Sequence, residues 1–245
     1  MPIHVGNSTV SHTLGGGGYA REGIYMHLDA GDTRSAIPGD EDWNDLSGYN
    51  RNFTGTSIAS SANEYGYWSF DGTDDYFVHS YLNWNQYQAR TVEVWLKMGS
   101  VNELGGIVTQ GKQGNSFGIG RTDDGTLDWS VRGSSQNIVY TSSAVSAGVW
   151  YHVVGTYVYN GSSYTGRLYL DGVLQGSSTT NPGSFSWSST ALDDKLKIGH
   201  STTTKGSSGN MKFFDGDIGI VRIYDRAFSQ SEILYNYAAD TTRFG

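Results

Sequence analysis

The feature that most constrains this sequence is the stretch from Phe213 to Tyr237, in which a β-branched run leads directly into a capped helix. Ile218 to Tyr224 follows a Gly-Asp turn and is rich in β-branched and aromatic residues, which predicts a strand long enough to cross a sheet. Ser229 is followed three residues later by Glu232. This spacing predicts the capping box at the start of a short helix.

The helix after Ser229 is too short to be stable alone, so it needs a platform built by the preceding chain. Ile233, Leu234 and Tyr237 are spaced to share the face that packs on this platform. The preceding chain shows strand patterns at the spacing of an all-β sandwich. The predicted strands are Ile24–Asp29, Tyr65–Phe70, Asp75–Ser80, Thr91–Met98, Gly106–Lys112, Ser116–Arg121, Thr126–Val131, Gln136–Thr141, Val149–Tyr159, Gly166–Leu170, Val173–Gly176 and Leu196–His200.

Two turns and one alternating strand make the prediction of an all-β sandwich more specific. Asp171-Gly172 has the chemistry of a type I′ turn and predicts a tight hairpin, and Asp-Gly-Thr-Asp after Phe70 predicts a second hairpin. The run from Thr91 to Met98 alternates, which predicts a half-buried strand. One face of that strand carries Val92, Val94 and Leu96, and the other carries Thr91, Glu93, Trp95 and Lys97.

The composition fits a single all-β domain and argues against several classes of partner. The chain has 245 residues, and its 34 glycines, about 14%, are roughly twice the usual share and lie at turn positions. A formal net charge of -8 disfavours nucleic acid as a partner. Without cysteine there are no disulfides or thiolate metal sites. No apolar run is long enough to span a membrane, and the amino end lacks the pattern of a secretory signal, so we expect no membrane partner and synthesis in a cytoplasm.

Residues 1–22 differ from the rest of the chain. The run Leu14, Gly15, Gly16, Gly17, Gly18 and Tyr19 has no periodicity and maximal backbone freedom, so it is not expected to fold by itself. It is either a flexible terminus or an extended arm that docks on a neighbour. We favour the docking arm, and treat these six residues as its assembly segment.

Several phrases resemble the concanavalin A-like, laminin G-like jelly rolls, in the order expected for that family. They are Phe70-Asp-Gly-Thr-Asp-Asp-Tyr76, Val92-Glu-Val-Trp-Leu-Lys97, Trp150-Tyr-His-Val-Val-Gly-Thr-Tyr157, Leu168-Tyr-Leu-Asp-Gly172, Ile198-Gly199 and Phe214-Asp-Gly-Asp-Ile-Gly-Ile-Val-Arg-Ile-Tyr224. The resemblance implies two curved antiparallel sheets packed face to face. We therefore expect an arm at 1–22, a jelly roll at 23–240 with one short C-terminal helix, and a tail at 241–245.

The flanking segments resemble laminin G-like structural proteins of tailed phages. The phrases are Leu28-Asp-Ala-Gly31, Trp43-Asn-Asp-Leu-Ser-Gly48 and Asn236-Tyr-Ala-Ala-Asp-Thr-Thr-Arg-Phe-Gly245. This second resemblance implies a virion protein, a capsid decoration or tail-fibre module that contacts other virion proteins and forms a homo-oligomer.

The sequence offers little for catalysis. Glycoside hydrolases of this superfamily place two carboxylates on one strand face, whereas the face that carries Glu93 has no second acid. We therefore expect Glu93 to be a solvated side chain and His152 to be structural. No nucleophile motif or paired histidines are present. The prediction is a protein with no catalytic residues, and a glycoside hydrolase is the weakest alternative.

Binding sites are better represented. Asp71, Asp74 and Asp75 crowd one turn and are candidate calcium ligands, although Asp-Gly turns also use such residues for turn geometry alone. No other cofactor is expected. Glycan binding would use exposed aromatic rings, for which Trp95 and Trp129 are the candidates, with Trp84 and Trp187 as further rings. The alternative to a virion protein is thus a carbohydrate-binding lectin module of an adhesin.

Overall fold

The computed structural model describes residues 18–58, 66–80, 88–100, 104–112, 115–133, 136–181, 195–201 and 212–245. They form two antiparallel sheets, a two-stranded ribbon and one helix. The strands are β1 Ile24–Asp29, β2 Asp42–Trp43, β3 Phe53–Thr56, β4 Trp68–Asp71, β5 Tyr76–His79, β6 Arg90–Met98, β7 Gly105–Lys112, β8 Asn115–Arg121, β9 Leu127–Arg132, β10 Gln136–Tyr140, β11 Trp150–Tyr159, β12 Tyr164–Leu170, β13 Val173–Thr180, β14 Leu196–Ile198, β15 His200–Ser201, β16 Lys212–Phe213 and β17 Asp215–Tyr224, and the helix is α1 Gln230–Phe244.

The two sheets have a complex strand order. The seven-stranded sheet runs β1-β17-β6-β11-β12-β13, with β4 also paired to β17, and the eight-stranded sheet runs β10-β9-β8-β7-β14-β5-β3-β2. Strand β17, which contains the β-branched run from Ile218 to Tyr224, lies near the centre of the first sheet between β1 and β6. The predicted two-sheet antiparallel sandwich with one C-terminal helix is confirmed.

The core lies between the two sheets and follows the alternation of the strands. Val92, Val94 and Leu96 of β6 face this core, as predicted. From the opposite sheet, Trp129 reaches across until its ring lies against Gly155 of β11, where any Cβ would overlap the indole. Glycine at that position lets the two sheets approach closely enough to exclude water.

The two predicted hairpins have different outcomes. Asp171-Gly172 joins β12 to β13, and both residues have positive φ, 50° and 77°, so that hairpin is confirmed. The turn after Phe70 does not make a hairpin, because β4 pairs with β17 in one sheet while β5 pairs with β3 and β14 in the other. Phe70 and Phe77 both face the core, with ring centroids 6.1 Å apart. The turn therefore crosses from one sheet to the other.

Helix α1 covers the outer face of the seven-stranded sheet. The capping box is present, because Ser229 Oγ accepts from the Glu232 backbone and Glu232 Oε2 accepts from the Ser229 N–H. Ile233 is buried as predicted, but Leu234 is 46% exposed and does not belong to the packed face. The helix continues through residues 241–244, which therefore form its last turn and not a separate tail.

The carboxyl end of the predicted arm is seated on this same face. The Ala20 N–H donates to Asn236 Oδ1 at 2.7 Å, and the Tyr19 ring lies 4.3 Å from the Arg222 guanidinium. Gly18 approaches Ala239 of α1. Of the predicted assembly segment, Gly18 and Tyr19 thus contact this domain, whereas Leu14, Gly15, Gly16 and Gly17 lie outside the described residues.

Candidate functional site

An aromatic pocket opens beside the last turn of α1, with a volume of about 370 Å³. Its lining comes from four separate elements and consists of Tyr67, Lys97, Trp150, Arg243 and Phe244. Lys97 of β6 and Trp150 of β11 are cross-strand partners, so the register of the sheet places them side by side. The helix end then closes one wall of the pocket.

Three aromatic rings line the pocket. The centroids of Tyr67 and Trp150 are 5.5 Å apart at 61°, and those of Trp150 and Phe244 are 4.6 Å apart at 47°. Phe244 is buried, whereas Tyr67 and Trp150 are half-buried. The two half-buried rings combine an apolar face with a polar tip, a combination typical of ligand-binding surfaces.

Two cations in this pocket are each matched by a carboxylate. Lys97 Nζ lies 4.9 Å and 5.4 Å from the ring centroids of Tyr67 and Trp150, and 2.7 Å from Asp217 Oδ2. Arg243 Nη1 lies 2.6 Å from Asp29 Oδ1. The site consequently offers hydrogen-bond donors and acceptors beside apolar ring faces without a strong net charge. Such a site suits a polyhydroxylated ring better than an ion.

Glycines hold Arg243 in place. Its Nη2 donates to the Gly66 carbonyl, and a Cβ at Gly66 or at Gly31 would overlap the guanidinium. Gly66 also has a φ of +81°, which side chains rarely adopt. The last turn of α1 is therefore fixed against the loop before β4, and this contact fixes the pocket wall.

The two tryptophans predicted to bind glycans are buried. Trp95 is 1% exposed and stacks between Tyr237 and Phe244, with centroid distances of 5.7 Å and 5.0 Å. Trp129 is 0% exposed in the core, where its Nε1 donates to the Thr156 carbonyl at 3.0 Å. A sugar stacks only on an accessible ring, so the prediction for these two rings is corrected to a packing role. Trp84 and Trp187 lie outside the described residues.

The predicted acidic cluster does come together. Asp71, Asp74 and Asp75 place carboxylate oxygens within 4.8 Å of one another. The Asp71 N–H donates to Asp75 Oδ2 at 2.8 Å, and Ser57 Oγ donates to Asp74 Oδ2 at 3.0 Å. Burial, with the neighbouring carboxylates, raises the pKa of Asp75. Carboxylates are the ligands that calcium prefers, but these bonds also serve the turn, so calcium binding stays a prediction.

Glu93 is not the solvated side chain that we expected. It is 0% exposed at the centre of a buried charged group, the Glu93 network, formed by Glu93, His152, Arg222, Asn236 and Asp240. Its Oε1 accepts from Arg222 Nη1 at 2.9 Å and lies 3.0 Å from His152 Nε2, while Oε2 accepts from Asn236 Nδ2 at 2.6 Å. The alternation placed Glu93 on the correct face, but α1 and the arm cover that face.

The Glu93 network fastens the helix to the sheet. Burial alone would raise the pKa of Glu93, but Arg222, His152 and Asn236 outweigh burial and lower the pKa to about 2. Arg222 also lies 2.7 Å from Asp240 on α1. Because Glu93 is fully buried and both its oxygens are hydrogen-bonded, it is not placed to act on a substrate, and its role in this structure is to anchor α1.

Sequence reasoning missed the aromatic pocket. Lys97 and Trp150 were recognised only as parts of fold phrases, and Arg243 and Phe244 were assigned to a tail. The signal that would have found the pocket is the pairing of β6 with β11 together with a helix long enough to reach Phe244.

Among the described residues, no helix is both long and apolar enough to cross a membrane.

Comparison with known proteins places this geometry in a family. A laminin G-type model described as the concanavalin A-like lectin/glucanases superfamily matches residues 71–234, more than half of the 245-residue chain. The search of curated proteins returned no match.

Several solved structures share the fold. The binding domain of botulinum neurotoxin serotype D is 16% identical with a TM-score of 0.58, over 90% of this chain and 51% of that one. Botulinum neurotoxin type C, described as depending on two ganglioside molecules for entering cells, is 13% identical with a TM-score of 0.63, over 89% and 51%. Trypanosoma rangeli sialidase in complex with sialic acid is 14% identical with a TM-score of 0.59, over 90% and 33%.

This chain thus spans at most about half the length of those proteins, and at these identities the likeness shows the fold alone. The family match, by contrast, covers the strands from β5 to β17 and the start of α1. The strand order, the closing strand and helix, and the matched residues lead to one conclusion: the chain belongs to the concanavalin A-like lectin/glucanases superfamily.

Proposed function

We propose that this protein is a non-enzymatic, lectin-like module that binds a neutral saccharide in the pocket between Tyr67 and Trp150. The observation that carries this proposal is the pair of half-buried aromatic rings beside two compensated cations, Lys97 and Arg243. A sugar presents an apolar ring face and a rim of hydroxyl groups. The rings match the face, and the paired charges match the hydroxyls as donors and acceptors.

The size of the pocket supports the same ligand class. Its volume of about 370 Å³ lies at the lower end of the range for small-molecule sites, roughly 300 to 1,000 Å³, which fits one or two sugar rings. Two of the fold neighbours are described with ganglioside or sialic acid. Those descriptions support saccharide binding as a class, while the local charge balance favours an uncharged sugar here.

A glycan array followed by titration calorimetry of the strongest neutral ligand tests the proposal. Tyr67→Ala is expected to weaken binding about 30-fold, because truncating a central aromatic anchor costs ~2 kcal/mol or more. Tyr49→Ala is the matched control, since Tyr49 is 61% exposed, contacts Arg51 and lies outside the pocket. Equal loss in both variants, or no neutral ligand for the wild-type protein, would overturn the proposal.

A second proposal concerns assembly. We propose that the module decorates a phage capsid or tail as a homo-oligomer, docked through an arm at residues 1–22. The support within the described residues is the anchor of Ala20 on Asn236, which fixes the base of the arm to the jelly roll. Because the base of the arm is fixed to the jelly roll, a neighbour that binds the arm also sets the position of the whole domain.

Light scattering of the full chain and of a variant lacking residues 1–17 tests this assembly proposal. The shortened variant keeps Tyr19 and Ala20, so the seat on α1 is preserved. A defined oligomer that becomes a monomer on truncation is the expected result. The same mass for both proteins would contradict an assembly role for the arm.

A further inference from the structure

The outer face of the eight-stranded sheet carries a second, smaller cleft, far in sequence from the aromatic pocket. It has a volume of about 40 Å³ and lies over β7, β8 and β9, beside Ser201 of β15. Its polar and charged lining is Thr109, Ser116, Arg121, Asp128, Ser130 and Arg132. By the usual volume per buried water this space holds about three water molecules, or one small oxyanion group.

The cleft exists because the strands are small on that side. In β8, Phe117 and Ile119 point into the core, so Ser116, Gly118 and Gly120 lie on the outer face. A side chain at Gly118 would overlap the Val108 carbonyl, and the φ of this residue is +156°. The trough is therefore built into the backbone and cannot be filled by a side chain at that position.

Arg132 is the feature of this cleft that calls for a ligand. It is only 8% exposed, and its side chain makes no hydrogen bond and no ion pair with any other residue that the structure describes. Its Nε is buried without an acceptor. By comparison, buried Arg222 contacts both Glu93 and Asp240. A largely buried guanidinium with no counter-charge among the described residues is costly, and an anion in the cleft would supply both that charge and an acceptor for its N–H groups.

The acid on the same strand face does not compensate Arg132. Asp128 lies four residues away along β9, which separates the two Cα atoms by about 13 Å at the usual rise per residue. The cross-strand neighbour of Arg132 is Ser116, and Ser130 lies two residues before it on the same face. Arg132 is thus flanked by two hydroxyl groups, which are donors for the remaining oxygens of an anion.

We propose that Arg132, with Ser116 and Ser130, binds an oxyanion group, a carboxylate or a sulfate, in this cleft. The planar guanidinium fork matches two oxygens of such a group, and the volume admits the group without a whole sugar ring. The group belongs either to an acidic saccharide that lies along the outer sheet face or to a free inorganic anion. This inference does not depend on saccharide binding in the aromatic pocket.

Titration calorimetry with two probes, sodium sulfate and methyl glucuronide, tests the site, and methyl glucoside is the neutral comparison. Arg132→Gln is expected to weaken binding of the preferred anion at least tenfold, because hydrogen bonds to a charged group contribute about 1.5 to 3 kcal/mol. Arg167→Gln is the matched control, since Arg167 is a half-buried arginine on β12 in the other sheet. It should bind as the wild type does.

The same probes, applied to the wild type and to both arginine variants, identify the source of the anion and check the folding of Arg132→Gln. Tighter binding of methyl glucuronide than of sulfate identifies an acidic saccharide, and the reverse identifies a free anion. In either case, Arg132→Gln must weaken binding of the preferred anion. Sulfate stabilises many proteins non-specifically, so a thermal shift counts only if Arg132→Gln lacks it and Arg167→Gln keeps it.

Three outcomes would overturn the inference. The first is wild-type protein that binds neither anion saturably. The second is Arg132→Gln that binds within twofold of the wild type. The third is Arg132→Gln that is less stable than the wild type without any anion present, because an uncompensated buried charge should not stabilise the fold. Y67A should leave anion binding unchanged, so failure of the aromatic pocket is distinguishable from failure of this site.

Discussion

Replacement of Glu93 by glutamine perturbs the fastening of α1 with little change in side-chain shape. In the native protein the carboxylate receives bonds from Arg222, His152 and Asn236. The orientation of the Asn236 amide is fixed by the Ala20 N–H on its Oδ1, so the new glutamine amide meets another donor. Arg222 keeps Asp240 but loses its buried partner.

Two independent estimates give a similar magnitude. Removing one partner of a buried ion pair costs about 3 to 5 kcal/mol. The pKa of Glu93 is lowered from 4.5 to about 2, a difference that corresponds to about 3 kcal/mol of stability at neutral pH. Urea unfolding followed by tryptophan fluorescence should therefore show a midpoint about 1 to 2.5 M lower for Glu93→Gln, at an m-value of about 2 to 3 kcal/mol/M.

The stability that ionised Glu93 contributes depends on pH in a direction set by its lowered pKa. Since the native pKa is depressed, ionised Glu93 contributes its full stability above about pH 4.5 and loses it as the pH falls towards about 2. The difference between wild type and Glu93→Gln should shrink across that window. Glu41→Gln is the control, since Glu41 is exposed and should stay within about 0.5 kcal/mol of the wild type. A loss of under 1 kcal/mol at pH 7 for Glu93→Gln would refute the reasoning.

Two further predictions follow from buried or clustered titratable groups. Burial, with Arg222 nearby, lowers the pKa of His27 from 6.5 to about 3, so the unfolded chain takes up the proton first and stability falls below pH 6.5, by about 2 kcal/mol at pH 5. His27→Gln should remove that loss in urea unfolding at pH 7 and pH 5, and an equal loss in both proteins would contradict it. If Asp71, Asp74 and Asp75 bind calcium, the ion should raise the melting temperature of the wild type over an EDTA sample but not that of Asp74→Asn. The same shift in both proteins would contradict a site there.

The fold could be predicted because its signals are local. The strand at Thr91 to Met98, the Asp171-Gly172 turn and the Ser229 capping box are each determined by a few neighbouring residues, and all three are present. The prediction that this strand is half-buried is wrong, because both of its faces are covered and only Lys97 is partly exposed. The hairpin predicted after Phe70 is wrong because its signal is only local. Its sequence specifies a tight turn, but whether the next strand stays in the same sheet depends on the pairing of β5 with β3 and β14, which are distant in sequence.

The candidate site depended on long-range contacts that the sequence does not display. Alternation places Glu93 and Trp95 on the face of β6 that points away from the sandwich core, and both are buried because α1 covers that face. Asn236 donates to Glu93, whereas Tyr237 and Phe244 stack on Trp95. The last turn of α1 also supplies Arg243 to the aromatic pocket. A helix judged from Ile233 to Tyr237 alone lacks Arg243 and Phe244, so the pocket could not be predicted from it.

The most direct test of the central claim observes the indole of Trp150 while a saccharide binds. In a ¹H–¹⁵N spectrum of the protein, Trp150→Phe assigns the Trp150 indole signal, and a neutral saccharide taken from the glycan array is then titrated. If the saccharide binds in the aromatic pocket, the Trp150 signal should shift with the binding curve while the signal of buried Trp129 stays fixed. Saturable binding that leaves the Trp150 signal unmoved, or no saccharide binding at all, would contradict it.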